Sequence, residues 1–371
     1  MKILLKQNVF DAALDRIRFL FDEFECVTIG YSGGKDSTVI LELARQVAIE
    51  KNRLPLNVFF IDQEAEWTQT VDIMRQVMYD KQVKPYWFQM PIKIENATSY
   101  DQDYLYCWDD TDQDNWLREK EPISIKENTY GVKWWDGIFE AIFKKEFKGQ
   151  KHCNITGIRT EESPRRFMGL TSYATYKWIT WGTKKAGPKN HFAFSPIYDW
   201  SYTDVWKAIL DNNWTYNQIY DLQYQYGVSI PKMRVSNLHH ETAVHSLFYL
   251  QEVDSELYEK LTNRLHGVDM AGKLGKADYF VKELPFMFQS WPEYRDYIVE
   301  KLVDKPAWLK LINKFISDHD RLYGQEPKLR DQAARIVVNS ILANDYNGTK
   351  FENFRRGSNI HKKDLREHLA K

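Results

Sequence analysis

Six consecutive residues, Ser32-Gly33-Gly34-Lys35-Asp36-Ser37, bring together the groups that a polyphosphate requires. Two glycines let the backbone approach an oxyanion closely, Ser32 and Ser37 offer hydroxyl donors, and Lys35 supplies a positive charge. A glycine-rich turn that opens a helix also points unpaired N–H groups and the positive end of the helix dipole at the same spot. The spacing is not that of the Walker A loop, because Asp36 follows Lys35 and no glycine stands five residues before Gly34. The dinucleotide pattern GxGxxG is absent as well. Asp36 either helps place Mg²⁺ or serves the helix N-terminus, and Asp62, after the next β-prone run, is a candidate for contact with ribose or metal.

A second set of candidates is Gly157, Arg159, Arg165 and Arg166 within TGIRTEESPRR. Guanidinium forks suit phosphate or sulfate. The alternative for these arginines is local pairing with Glu161 or Glu162. Lys35, Asp36 and Arg159 are the residues we expect to act in catalysis.

The elements that must position these groups are legible in the hydrophobic pattern. Val9, Ala13, Leu14, Ile17, Leu20 and Phe24 recur at helical spacing ahead of a strand over 26–31. Val39, Ile40, Leu43, Ala44 and Val47 then mark a helix after the glycine loop. Strands are expected at 56–61, 86–88, 152–158 and 192–197, with helices at 71–78, 134–147 and 204–210, the last capped by Ser201 with Asp204. Strands alternating with helices predict an α/β fold, an open and mostly parallel sheet with helices on both faces. The loops after strands 26–31 and 152–158 should share the carboxyl edge of that sheet, where such folds bind ligands. Residues 95–150 interrupt the rhythm as an acidic, aromatic insertion, and residues 231–371 read as a mainly helical C-terminal region following a domain at 1–230.

Length and composition set the outer bounds. The 371 residues suit two domains, or one α/β domain with a large extension. With 13 Trp, 22 Tyr and 20 Phe, the chain is rich in aromatics, which serve either a bulky core or base-stacking surfaces. The net charge of −1 gives no global field toward nucleic acid or membrane. Cys26, Cys107 and Cys153 form no CxxC pair, which argues against zinc, an iron–sulfur cluster and a disulfide framework. We expect a cytoplasmic protein, with no signal-like or membrane-spanning run.

The motif SGGKDS resembles the signature of the PP-loop superfamily (adenine nucleotide alpha hydrolase-like), which includes N-type ATP pyrophosphatases and phosphoadenosine phosphosulfate (PAPS) reductases. The resemblance narrows toward the PAPS reductase-like family through the Gly157-Ile158-Arg159 segment, through Ser195-Pro196-Ile197-Tyr198-Asp199-Trp200 with Asp204-Val205-Trp206, and through Tyr216-Asn217-Gln218-Ile219-Tyr220. It implies ATP, or PAPS or APS, on Ser32, Gly33, Gly34, Lys35, Asp36 and Ser37, with Asp62, Gly157, Arg159, Arg165 and Arg166 completing the site and Mg²⁺ accompanying ATP. PAPS reductases attack sulfur with a C-terminal cysteine thiolate, and no cysteine follows Cys153 here. The overall layout is similar to cysteine-poor IbrA-type proteins with a DUF3440 C-terminal region, a resemblance that implies a ParB/sulfiredoxin-like partner protein. Two readings stay open: an enzyme that transfers the adenylyl group of ATP to an unknown acceptor with release of pyrophosphate, and a non-catalytic nucleotide sensor acting through a protein or DNA partner.

Weaker signals favour structural readings. Asp110, Asp112, Asp114 and Glu121 fall in a calcium-loop register without its glycine, and we expect a solvated acidic loop. His240, Glu241 and His245 have the wrong histidine spacing for a zincin helix. Basic residues at Lys184, Lys185 and Lys189, and again in the C-terminal tail from Lys350, lack a groove-reading motif.

Overall fold

The structure, a computed structural model, describes residues 5–99, 102–171, 176–184, 191–230, 233–240, 244–269, 283–323, 327–342, 345, 348, 350–351 and 354. The chain divides into two compact units that interleave in sequence instead of meeting at one boundary. The first comprises residues 1–94, 105–238 and 251–264, and the second 95–104, 239–250 and 265–371.

The first unit is built on a six-stranded sheet of order β3-β2-β1-β6-β8-β7. Its strands are β1 (Cys26–Gly30), β2 (Leu56–Ile61), β3 (Val83–Phe88), β6 (His152–Ile155), β7 (Gly182–Lys184) and β8 (His191–Phe194). All pair in parallel except β7, which runs antiparallel to β8 at the edge. The strand order turns back between β1 and β6, in the register Cys26 to His152 and Ile29 to Ile155. That reversal opens a crevice at the carboxyl edge.

Alternation along the strands sorts side chains to two faces. One face carries Val27, Ile29, Val58, Phe60, Cys153 and Ile155, all in one core with helices α1 (Val9–Glu23), α2 (Lys35–Glu50), α3 (Thr68–Met78) and α6 (Tyr202–Asp211). Helix α1 starts where Asn8 accepts the Asp11 N–H at 2.8 Å and buries Ala13, Leu14, Ile17, Leu20 and Phe21. The opposite face carries Thr28, Phe59 and His152, covered by α4 (Trp135–Glu146). Phe143 lies 5.0 Å from Phe59, and Phe147 stacks on His152 at 4.4 Å. Trp67, Trp87, Trp108 and Trp200 are fully buried, so much of the aromatic content is core.

Three strands escaped the sequence pattern. Strands β4 (Ile92–Glu95) and β5 (Tyr104–Cys107) pair as a separate ribbon in the acidic insertion, and β7 is only three residues long. Short strands leave too few alternations to detect. The remaining helices are α5 (Pro164–Thr171), α7 (Ile219–Gln225), α8 (Val244–Val253), α9 (Ser255–Arg264), α10 (Trp291–Leu302), α11 (Pro306–Tyr323) and α12 (Pro327–Leu342). In the second unit α10, α11 and α12 close over Ile298, Trp308, Ile312, Phe315, Val337 and Ile341. No described helix is long and apolar enough to cross a membrane.

The expected cap of α6 forms as a reciprocal box, in which Ser201 Oγ accepts the Asp204 N–H at 3.1 Å and Asp204 Oδ2 accepts the Ser201 N–H at 2.7 Å. Ser201→Ala should therefore cost about 1 kcal/mol. The measurement is urea unfolding, where a lower midpoint at unchanged slope is expected.

Candidate functional site

The loop after β1 is shaped by its own polar groups. The Ser32 N–H donates to Ser37 Oγ at 3.3 Å, the two serine hydroxyls lie 3.2 Å apart, and Ser37 Oγ donates to the Gly34 carbonyl at 2.8 Å. Gly33 has φ +71°, a left-handed conformation that costs other residues energy. Its carbonyl accepts from Asn217 Nδ2 at 3.2 Å, and the same amide donates to Thr70 Oγ1 at 2.9 Å. Helix α2 begins at Lys35 with Gly34 as its N-cap, which has no side chain to accept an N–H of the first turn. The Lys35 N–H donates to the Tyr220 hydroxyl at 3.1 Å, and Lys35 Nζ sits 5.4 Å from the centre of the Tyr220 ring.

The segment after β6 closes on that loop. A Cβ added at Gly157 would meet the carbonyl carbon of Asp36 at 2.8 Å, its oxygen at 2.9 Å and the Ser37 nitrogen at 3.0 Å, so only glycine lets the two loops touch. Arg159 is buried. Its Nε–H donates to Asp36 Oδ1 at 2.6 Å, and Nη1 donates to Glu161 Oε2 at 2.9 Å and to the Trp200 carbonyl at 3.3 Å. Lys35 Nζ holds the other oxygen of Asp36 at 2.9 Å. Of the two alternatives raised for Arg159, local pairing with Glu161 is present, alongside an ion pair with Asp36 that the sequence did not suggest. Arg166 pairs with Glu162, while Arg165 is exposed on α5. Arg166 also lies near Asp36, Arg234 and Arg159, and burial with those two like charges lowers its pKa.

Past β2 the chain buries three acids, Asp62, Glu64 and Glu66. Asp62 is fully enclosed: Trp87 Nε1 and Gln89 Nε2 donate to its Oδ2 at 3.0 and 2.9 Å, and Arg118 Nη2 pairs with Oδ1. Glu64 accepts the Trp108 N–H at 2.8 Å and Arg264 Nε–H at 2.7 Å. Arg118 also donates to the Glu64 carbonyl. Glu66 has no cation paired to it in this network; it accepts from Asn237 Nδ2 at 3.0 Å and from the Gln63 N–H at 3.4 Å. Burial, reinforced by the nearby Asp62 charge, pushes its pKa up to about 8.

The acidic insertion is more than a solvated loop. Asp112 pairs with Arg264, Asp110 with Lys120, and Glu121 with Arg75. Among the described residues no group of three or more His, Cys, Asp or Glu is placed to hold a metal. All three cysteines are free and buried; burial raises the Cys26 thiol to about 11 and holds Cys107 and Cys153 well above the usual range. Lys185 and Lys189, Glu241, and the tail from Arg355 onward lie outside the described residues.

Asn217, Tyr220, Glu66, Arg118 and Arg234 carry the site's geometry without having been singled out for it. Asn217 and Tyr220 stood in a motif but no spacing ties them to a loop 180 residues earlier. The run Asp62-Gln63-Glu64-Ala65-Glu66 after a buried strand was the available signal for the acids, since carboxylates at alternate positions there must find partners.

The glycine-rich loop after β1 and the segment after β6 thus meet at the switch point of a parallel sheet, the place where open α/β folds take their ligands. Residues 26–226 match the phosphoadenosine phosphosulfate reductase domain, more than half of the chain, and the protein belongs to that family. It is similar to YbdN, an uncharacterized protein of Escherichia coli (strain K12), with 26% identity over 321 residues, 82% of this chain and 78% of YbdN. It is also similar to MJ0973, an uncharacterized protein of Methanocaldococcus jannaschii, at 28% over 202 residues, 54% of this chain and 39% of that one. Among solved structures, PAPS reductase from Candida auris aligns at 16% identity and TM-score 0.35, covering 65% of this chain and 99% of that one. Yeast FAD synthetase aligns at 16% and 0.37, covering 73% and 93%.

Two outcomes are expected from this geometry. Gly157→Ala should displace the 32–37 loop and lower the melting temperature, whereas Gly169→Ala, on open surface, should not. Glu66 binds its proton more tightly when folded, so its contribution to stability is complete below pH ~4.5 and is lost as the pH rises through about 8. Glu66→Gln should flatten the fall in unfolding free energy between pH 5 and 8, by on the order of a few kcal/mol, and with it the fall in melting temperature. Parallel curves for wild type and variant would refute the assignment.

Proposed function

We propose that the protein is an adenine-nucleotide-binding enzyme that seats the phosphates of ATP on residues 32–37 and transfers the adenylyl group to an acceptor, releasing pyrophosphate. The observation that carries this reading is the amino end of α2, capped by a glycine without a side chain and opening beside Lys35 at the sheet's switch point. Membership of a family named for an adenine nucleotide supports the choice of ligand. The buried, un-ionised thiols support phosphoryl chemistry over attack by a cysteine on sulfur. Placement in the IbrA-type, DUF3440-containing group is part of the same proposal.

In this reading an acceptor oxygen attacks the α-phosphorus, a new P–O bond forms, and the bond to the bridging oxygen breaks as pyrophosphate leaves. Lys35 and the N–H groups of the loop stabilise the charge that grows on the leaving group, an effect worth a few kcal/mol per donor. Arg159 is a positioning residue that holds Asp36 and, through it, Lys35. Arg165, Arg166 and Arg234 supply outward positive charge for the distal end of the nucleotide. Asp62 fixes the floor of the site through Trp87 and Arg118. Mg²⁺ enters as part of the substrate, on the phosphates. Both oxygens of Asp36 are already held by cations, so the donor set does not fit a resident ion and no step is assigned to one.

Lys35→Ala should weaken ATP binding at least tenfold, about 1.4 kcal/mol, with the fold intact by circular dichroism. Titration calorimetry checks the affinity, and a coupled assay checks pyrophosphate release. Unchanged affinity in the folded variant would overturn the phosphate-loop assignment; binding without pyrophosphate release for any acceptor would leave a nucleotide sensor instead.

A further inference from the structure

Beside the phosphate loop, on the other side of the first turn of α3, lies a cavity of about 200 Å³. Thr68 and Val71 line it, while Thr70 in the same turn bonds to the Asn217 amide that holds Gly33. One helical turn of about 5.4 Å therefore touches the cavity and the loop's own support. The other walls come from Leu117 and Arg118 of the insertion and from Asp254 and Leu257 at the start of α9.

Two charged walls of this cavity are incompletely satisfied by the protein. Arg118 spends both terminal nitrogens on Asp62 and the Glu64 carbonyl, and its buried Nε has no partner among the described residues. Asp254 caps α9 by accepting the Leu257 N–H at 3.1 Å on Oδ1, and its buried Oδ2 has no partner among the described residues. A buried donor and a buried acceptor of opposite charge, each left unmatched, cost free energy that a ligand of complementary polarity recovers. The remaining charges on the rim are matched within the protein, Arg75 to Glu121 and Lys260 to Glu256. Val71, Leu117 and Leu257 give the space between the two charges an apolar lining. Glu66 also lines the cavity, and its raised pKa leaves a carboxyl O–H that can donate.

We propose that this cavity binds a small amine-bearing carboxylic acid, with its carboxylate toward Arg118 and its ammonium group toward Asp254. The volume suits a molecule of amino-acid size. The site stands apart from the adenylyl-transfer reading, because the first turn of α3 lies between this cavity and the 32–37 loop.

The test uses the full chain, without nucleotide, and the twenty common L-α-amino acids as probes in saturation-transfer NMR, followed by calorimetry on those that bind. We expect at least one to bind. Asp254→Asn keeps the helix cap but removes the charge, and should weaken that probe at least tenfold. The analogue of the probe lacking its amino group should bind wild type and Asp254→Asn equally. Thr68→Trp, at an exposed lining position, should block both ligands without unfolding the protein. No bound probe, or affinity kept within threefold in either variant, would overturn the proposal, as a cavity that only water fills. The two readings fail separately. ATP binding and pyrophosphate release with no probe bound would sink the cavity alone, whereas probe binding that depends on Asp254, with ATP affinity insensitive to Lys35→Ala, would sink the phosphate-loop reading alone.

Discussion

The site depends on the contact between Gly157 and the peptide joining Asp36 to Ser37. Parallel pairing of β1 with β6 brings two strand ends to one edge, but backbone against backbone is what turns two adjacent loops into one surface. With no side chain at 157, the next residues pass close enough for Arg159 to reach Asp36 at 2.6 Å. Asp36 then orients Lys35 from its other oxygen. A bulkier residue at 157 would act on the lysine through this chain of contacts, without touching it.

Charge burial explains why the insertion and α9 belong to the same unit as the loop, although they are distant in sequence. Asp62 and Glu64 at the end of β2 are fully enclosed, and isolated carboxylates at that depth cost several kcal/mol each. Arg118 and Arg264 compensate them, one from the insertion and one from the last turn of α9. Breaking either pair strands a charge, so these long-range contacts hold the insertion against the sheet more firmly than its own hydrogen bonds do. Glu66, two residues further on, receives no such cation and is held as a neutral carboxyl by burial.

Where one element carries its own signal, the sequence was sufficient. The 3.6-residue periodicity of α1 and α2, the apolar run of β2, broken only at Asn57, and the Ser201-Asp204 box are all local, and all appear within a few residues of where they were expected. The phosphate-loop motif was legible for the same reason. What could not be read were long-range partners. Nothing near Asn217 or Tyr220 says that one supports Gly33 and the other accepts the Lys35 N–H, because both depend on how α7 returns across the sheet edge. The ribbon of β4 and β5 is hidden by brevity, at four residues a strand. The sequence left Arg159 as a choice between a bound anion and local pairing with Glu161 or Glu162, and gave no sign of Asp36, whereas a buried guanidinium with five donors takes several partners at once.

The same accounting bears on why a family built around sulfur chemistry contains a chain like this one. A thiolate needs exposure and positive charge to exist at neutral pH. Cys153 faces the apolar core from β6 and Cys107 donates to the Gln63 carbonyl at 3.2 Å under the acidic cluster, whose charges raise its pKa further. Positive charge gathers instead beside residues 32–37, where Lys35 and Arg159 share the two oxygens of Asp36, Arg159 also holds Glu161, and Arg166 pairs with Glu162. The start of α2 lies within this cluster, and helix N-termini of this kind are general anion sites.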